Sequence, residues 1–231
     1  MNNKKKLNIV LLIMAALLSA GCNADKLKIK PFFNPNNNSD AFFQKPVVLN
    51  SANDFLTLHR KTWEFGGTDL KREKYGNKVA INCPTLKNLL NRGYTVVKAY
   101  KYKLVSAQSV ICSMWKEMAA FKPYSISFMD NLSLNKAFAT KAPARFALLI
   151  SNEEIKKTGS ASSWNSLSRI SKVEPVSDLQ AIYHDDSAGI QRLTLMAKGD
   201  YNDDGIEDWL LYMENSVEGG SYSSTAFYII T

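Results

Sequence analysis

Hydrophobic and polar positions along this chain follow two rhythms. Between residues 50 and 120 the apolar residues recur mostly every three or four positions, and beyond residue 177 they recur every two. The first rhythm predicts helices. Ser51 opens an S-x-x-D start, and Phe55, Leu56, Leu58 and Trp63 give an apolar face to a helix running to about Trp63. Pro84 suits a first helical position, Leu86, Leu89 and Leu90 face inward, and Gly93 ends that second helix. Val110, Ile111, Met114, Trp115 and Met118 form one stripe of a third helix over 106–121. Between the last two, 94–104 alternates Tyr100, Tyr102 and Leu104 with Lys101 and Lys103, which reads as a strand with a solvated lysine face.

Residues 124–128 and 145–150 look like short strands, 132–140 like a helical piece, and the Ser-rich 152–169 like a short helix and a loop. Four strand-like runs then follow at 177–183, 190–198, 208–215 and 221–230, joined by short Asp, Gly or Ser links. Links so short favour antiparallel pairing. The fold class is therefore α+β, with helices and short strands in the first half and a C-terminal antiparallel β-meander. The stretch 49–231 is long enough for one domain with a sizeable core.

The link between the second and third runs carries candidate chemistry. Asp200, Asn202, Asp204 and Asp208 fall at positions one, three, five and nine of D-x-N-x-D-G-x-x-D, and Gly205 permits a sharp turn. Calcium takes several hard oxygens, and the carbonyl of Ile206 at position seven adds another. Position twelve is Leu211, where an EF-hand has a bidentate Glu. The motif resembles the shorter calcium loops of FG-GAP blades and dockerin-like repeats, over about ten residues. That resemblance implies a weak, structural calcium site fixing the register of a hairpin. The plainer reading is a turn signal at Asp204-Gly205 with a solvated acidic tip. Crowded carboxylates repel one another, and a cation relieves that repulsion.

At the N-terminus Lys4, Lys5 and Lys6 precede a short apolar core from Ile9 to Leu18, the layout of a secretory signal over 1–21. Leu18-Ser19-Ala20-Gly21-Cys22 resembles a bacterial lipobox, with Ser19 departing from the larger aliphatic residue usual there. The resemblance implies cleavage before Cys22 and its lipidation, with acyl chains such as palmitate anchoring the chain. Asn23 follows the Cys, which favours the outer membrane, facing the periplasm, in a Gram-negative source. Residues 22–48 read as a lipidated tether, some of whose phenylalanines dock back on the domain.

Export changes the remaining arithmetic. Losing three lysines lowers the formal charge from +8 to +5, which makes nucleic acid a poor partner and leaves lipid heads and glycans near at hand. Cys83 and Cys112 become an even pair in an oxidising compartment and are expected to form a disulfide, contributing about 3 kcal/mol by loop closure.

No nucleophile elbow, zinc-protease motif or phosphate loop is present. Of the two histidines, His59 reads as a core-edge residue, and His184 with Asp185 and Asp186 is the sole candidate acid-base cluster, at a strand end where a polar turn is the plain reading. The expectation is a non-enzymatic envelope lipoprotein, a binding or inhibitor-type module for a periplasmic protein or cell-wall glycan. The alternatives are a self-associating structural component and a carboxylate-dependent cell-wall hydrolase.

Overall fold

The computed structural model describes residues 28–129 and 132–231. Its first half mixes strands and helices: β1 (Phe32–Phe33), α1 (Ala52–Arg60), β2 (Thr68–Arg72), β3 (Gly76–Ala80), α2 (Cys83–Asn91), β4 (Thr95–Val96) and α3 (Tyr102–Met118). Three short helices follow, α4 (Lys136–Lys141), α5 (Asn152–Lys157) and α6 (Trp164–Leu167). The chain closes with β5 (Ile170–Ser177), β6 (Gln180–Asp185), β7 (Gly189–Gly199), β8 (Asp208–Val217) and β9 (Ser223–Ile230).

The meander forms as its two-residue rhythm requires, with β5 to β9 pairing antiparallel in sequence order. It has five strands where the pattern suggests four. The extra strand, β5, is polar and carries Pro175, features that suit an edge position and hide the period. A small separate sheet runs β3-β2-β4.

Alternation along β8 sends Leu210 and Tyr212 to one face and Trp209, Leu211 and Met213 to the other. The first face meets α1, α2 and α3 through Phe55, Leu86, Met114 and Trp115. The second meets the 132–169 segment through Phe138, Phe146 and Trp164. The sheet is thus the middle of three layers, and each large apolar side chain it buries contributes about 1.5–3 kcal/mol. One polar group sits deep in the second face: Gln191 donates to the Phe146 carbonyl at 2.7 Å and accepts from Trp164 Nε1 at 3.1 Å. Buried polar atoms are tolerated when paired in this way.

Local signals set the helix ends. Ser51 and Asp54 form the expected capping box of α1, and Asn82 caps α2 by accepting from Thr85 N at 3.0 Å. Cys83 in α2 and Cys112 in α3 are joined by a disulfide, their Cα atoms 5.3 Å apart. The two helices it staples flank only a two-residue strand. The expected strand over 94–104 shrinks to Thr95–Val96, because Tyr102 already begins α3 and Val105, Gln108, Ile111, Cys112 and Trp115 bury one helical stripe. Tyr100, Tyr102 and Leu104 stay exposed, so their alternation reports no buried strand face. Residues 124–128 make isolated bridges, and 144–146 form a 3₁₀ turn where a strand was expected.

Of the expected 22–48 tether, the docking of some phenylalanines is found, and the docked part is longer than that expectation. From Ile29 onward this stretch belongs to the domain: β1 pairs with β7, and the Asn37 carbonyl accepts from Trp115 Nε1 at 2.8 Å. Phe42 and Phe43 are each 1 % exposed, and the Phe42 ring lies 4.9 Å from Trp63 and 5.1 Å from Trp115. Burial of these rings outweighs the freedom that the Asn- and Pro-rich sequence suggests. The signal 1–21 and Cys22 lie outside the described residues.

Candidate functional site

The acidic loop joins the C-terminal end of β7 to the start of β8. Asp200 is its organiser. Its Oδ1 accepts from the N–H groups of Asp203 at 2.6 Å and Asp204 at 3.1 Å, and its Oδ2 accepts from Gly205 at 2.8 Å. Asn202 Oδ1 accepts from Asp204 N at 3.2 Å, and Asp204 Oδ1 from Ile206 N at 2.8 Å. Asp203 and Gly205 both take positive φ, which a tight turn of this kind demands. The carboxylates of the motif therefore fold the loop before any ion is considered.

Asp208 differs from the others. Its side chain is 1 % exposed; Oδ2 accepts from Tyr201 N at 2.7 Å, and Oδ1 is buried with no hydrogen-bond partner. Burial pushes its carboxyl above the ordinary range; the Tyr201 and Asn202 N–H groups pull it back, and Asp204 and Asp200 add repulsion. Among the described residues no group of three or more His, Cys, Asp or Glu side chains is placed so that it could hold a metal ion. Oxygens of all five motif residues, Asp200, Asn202, Asp204, Ile206 and Asp208, nevertheless belong to one nine-residue turn.

A buried acid that the motif does not include is Glu207, which alternation turns to the other side of the loop. It accepts from Trp209 Nε1 at 3.1 Å and from the Ser127 hydroxyl, and Lys198 Nζ stands 4.0 Å away. Its contacts tie the hairpin to 122–128. Spacing alone gives no sign of this role.

The second feature is a trough of about 630 Å³ at the opposite end of the sheet. Strand pairing lines up two rows on the face shared with α3. One runs Glu174, Ile182, Arg192, Glu214, Thr225, and the other Lys172, His184, Ile190, Ser216, Ser223. Tyr102, Lys103 and Ser106 of α3 and Tyr222 of the β8–β9 turn frame it. Lys103 donates to the Ser221 carbonyl, bridging helix and turn. The sequence could not reveal this site, since its residues come from five separate segments.

The sequence cluster His184, Asp185 and Asp186 is not brought together. His184 lies in the second row, its Nε2 3.4 Å from Glu174. Glu174 is held below the usual carboxylate range chiefly by its hydrogen bond from Lys172. Asp185 points to the opposite face, where Oδ1 accepts from Ser187 N at 2.8 Å and Gly189 N at 2.7 Å, so its carboxylate builds the β6–β7 turn. A Cβ on Gly189 would collide with that carboxylate. His59 sits at the core edge beside the disulfide, its pKa lowered by burial and then by Lys116 and Lys87.

No protein family, curated protein or solved structure matches this chain at a significant level.

Proposed function

We propose that this chain is a non-enzymatic, lipid-anchored binding module of the cell envelope whose trough takes a segment of cell-wall glycan. The observation that carries the reading is the pair of cross-strand rows on the open end of the sheet, framed by Tyr102 and Tyr222. Arg192 and Glu214 are directly opposite partners in one row, and Ser216 and Ser223 in the other. Such a surface offers donors and acceptors in alternation, which suits sugar hydroxyls, and flat tyrosine rings suit the apolar faces of sugar rings. Anchoring rests on the signal ending in Cys22, and the outer membrane facing the periplasm is the location it favours.

Calcium is the ion we assign to the acidic loop, as a structural clip held by Asp200, Asn202, Asp204, the Ile206 carbonyl and Asp208. Supporting it, the donor set is all hard oxygen, and Asp208 Oδ1 is buried without a partner in a loop of like charges.

Titrating the purified lipoprotein in detergent with soluble peptidoglycan glycan strands tests the reading. Binding should weaken about tenfold or more in Arg192→Ala and in Glu214→Ala, with unchanged melting, since each removes a charge-assisted hydrogen bond. No binding by the folded parent protein would reject the glycan.

A further inference from the structure

We infer that the strip formed by residues 28–30 and 122–128 is the surface on which the domain rests against the phospholipid bilayer. This rests on the anchored reading above. The strip runs along the acidic loop: Ile29 pairs with Tyr124, Lys122 with Asp200, and Ile126 with Ile206.

Reach is the first argument. Only five residues lie between Cys22 and Lys28, which makes six steps of backbone. Even fully extended they span about 20 Å, so an acylated Cys22 holds this end of the domain at the membrane. Lys28 itself lines the hollow beside Lys122, Asp203 and Gly205, which fixes the tethered end at the loop.

Surface chemistry is the second. Phe128 is 79 % exposed, Ile29 48 % and Ile126 37 %, three large apolar side chains on paired or consecutive stretches of backbone. Lys28, Lys30 and Lys122 are exposed on the same strip. Apolar side chains with long flanking lysines are what an interfacial site presents: the rings and branched chains enter the headgroup boundary and the ammonium groups stay among the phosphates. Lys122 also pairs with Asp203 at 2.8 Å, which offsets part of the loop's negative charge towards the lipid. Apolar entry leads here, and attraction to anionic lipid is secondary.

The test uses the full lipoprotein reconstituted in phosphatidylethanolamine–phosphatidylglycerol vesicles carrying brominated acyl chains. The four native tryptophans are buried, so a new exposed one reports its own surroundings. Phe128→Trp should be quenched about twofold or more by brominated lipid, because the interfacial depth of a docked side chain overlaps the upper acyl region. Phe65→Trp serves as the control. Phe65 is exposed and lines a hollow with Lys101 and Leu104 at the start of α3, and that helix spans about 25 Å before it leads into 122–128. Equal quenching at the two positions overturns the inference, as does a blue shift at position 128 without quenching, which would mark contact with protein, its own or a second copy. Flotation of the parent chain separates the two readings. A protein that does not float with vesicles overturns anchoring and this inference together, and one that floats but leaves Phe128→Trp unquenched overturns this inference alone.

Discussion

Asp208 accepts a hydrogen bond from the Tyr201 N–H with one carboxylate oxygen and buries the other with no partner. Leaving such an oxygen unpaired is unfavourable, and the cation proposed for the loop would remove the defect. Calcium at ten times its dissociation constant should therefore add about 1.4 kcal/mol of stability, a rise of about 3–6 °C in melting temperature. Asp204→Ala should abolish the rise. Identical melting of the parent chain in calcium and in chelator would exclude the clip.

The same carboxyl predicts a pH dependence. Its folded pKa lies above the ordinary 3.8 because burial disfavours the charged form. Calcium requires that form. On acidification from neutrality, calcium affinity should begin to fall at a higher pH than ordinary carboxylates titrate. In the absence of calcium the sign reverses: between the raised folded value and 3.8 the folded state binds more protons, so this group adds stability as pH falls through that window. Calcium titrations followed by melting at stepped pH check both signs, and an affinity constant down to pH 4 would contradict the first.

Gly199 is fixed by its neighbours. A Cβ there would stand 2.9 Å from the Lys122 carbonyl and 3.2 Å from both Phe121 and Pro31. Lys122 exchanges backbone hydrogen bonds with Asp200 at 2.8 and 2.9 Å, so that carbonyl cannot retreat freely. Gly199→Ala should cost about 1–3 kcal/mol, the range for overpacking. Denaturant unfolding measures it, and a change within 0.5 kcal/mol, about the level of a surface substitution, would count against the contact.

Replacing Cys83 and Cys112 together by Ala should destabilise the chain by about 3–4 kcal/mol, since the bridge closes a 29-residue separation. Both sulfurs are buried. Neither should react with an alkylating reagent until the protein is reduced and unfolded, and labelling of Cys83 or Cys112 in the untreated native chain, located by peptide mass, would refute the bridge.

Legibility from sequence followed the range over which each feature is determined. The capping box at Ser51, the stop at Gly93 and the strands around 190–198 and 208–215 are local, and chain order alone revealed them. The 94–104 strand misled because three alternating residues, Tyr100, Tyr102 and Leu104, mimic a period while pointing to solvent. That some phenylalanines of the 22–48 stretch dock back was legible from their apolarity, whereas the distant partners that receive Phe42, Trp63 and Trp115, were not. Of the candidate sites, the acidic loop lies within nine residues and was legible, whereas the trough is assembled by strand register across five segments and was not.

Strand β8 has a consequence for how the module would work at a surface. It runs from Asp208 at the acidic loop to the trough beside Ser216, and its ten residues measure about 30 Å end to end. Its first six residues are buried on both faces, and its last four include Glu214 and Ser216 of the trough. A domain standing on its loop end would hold the trough about one small-protein diameter above the lipid and facing outward. Grip on the membrane and grip on the wall would then lie at opposite ends of one sheet, so a pull on the bound ligand would be carried to the anchor through the strand ladders rather than through a loop.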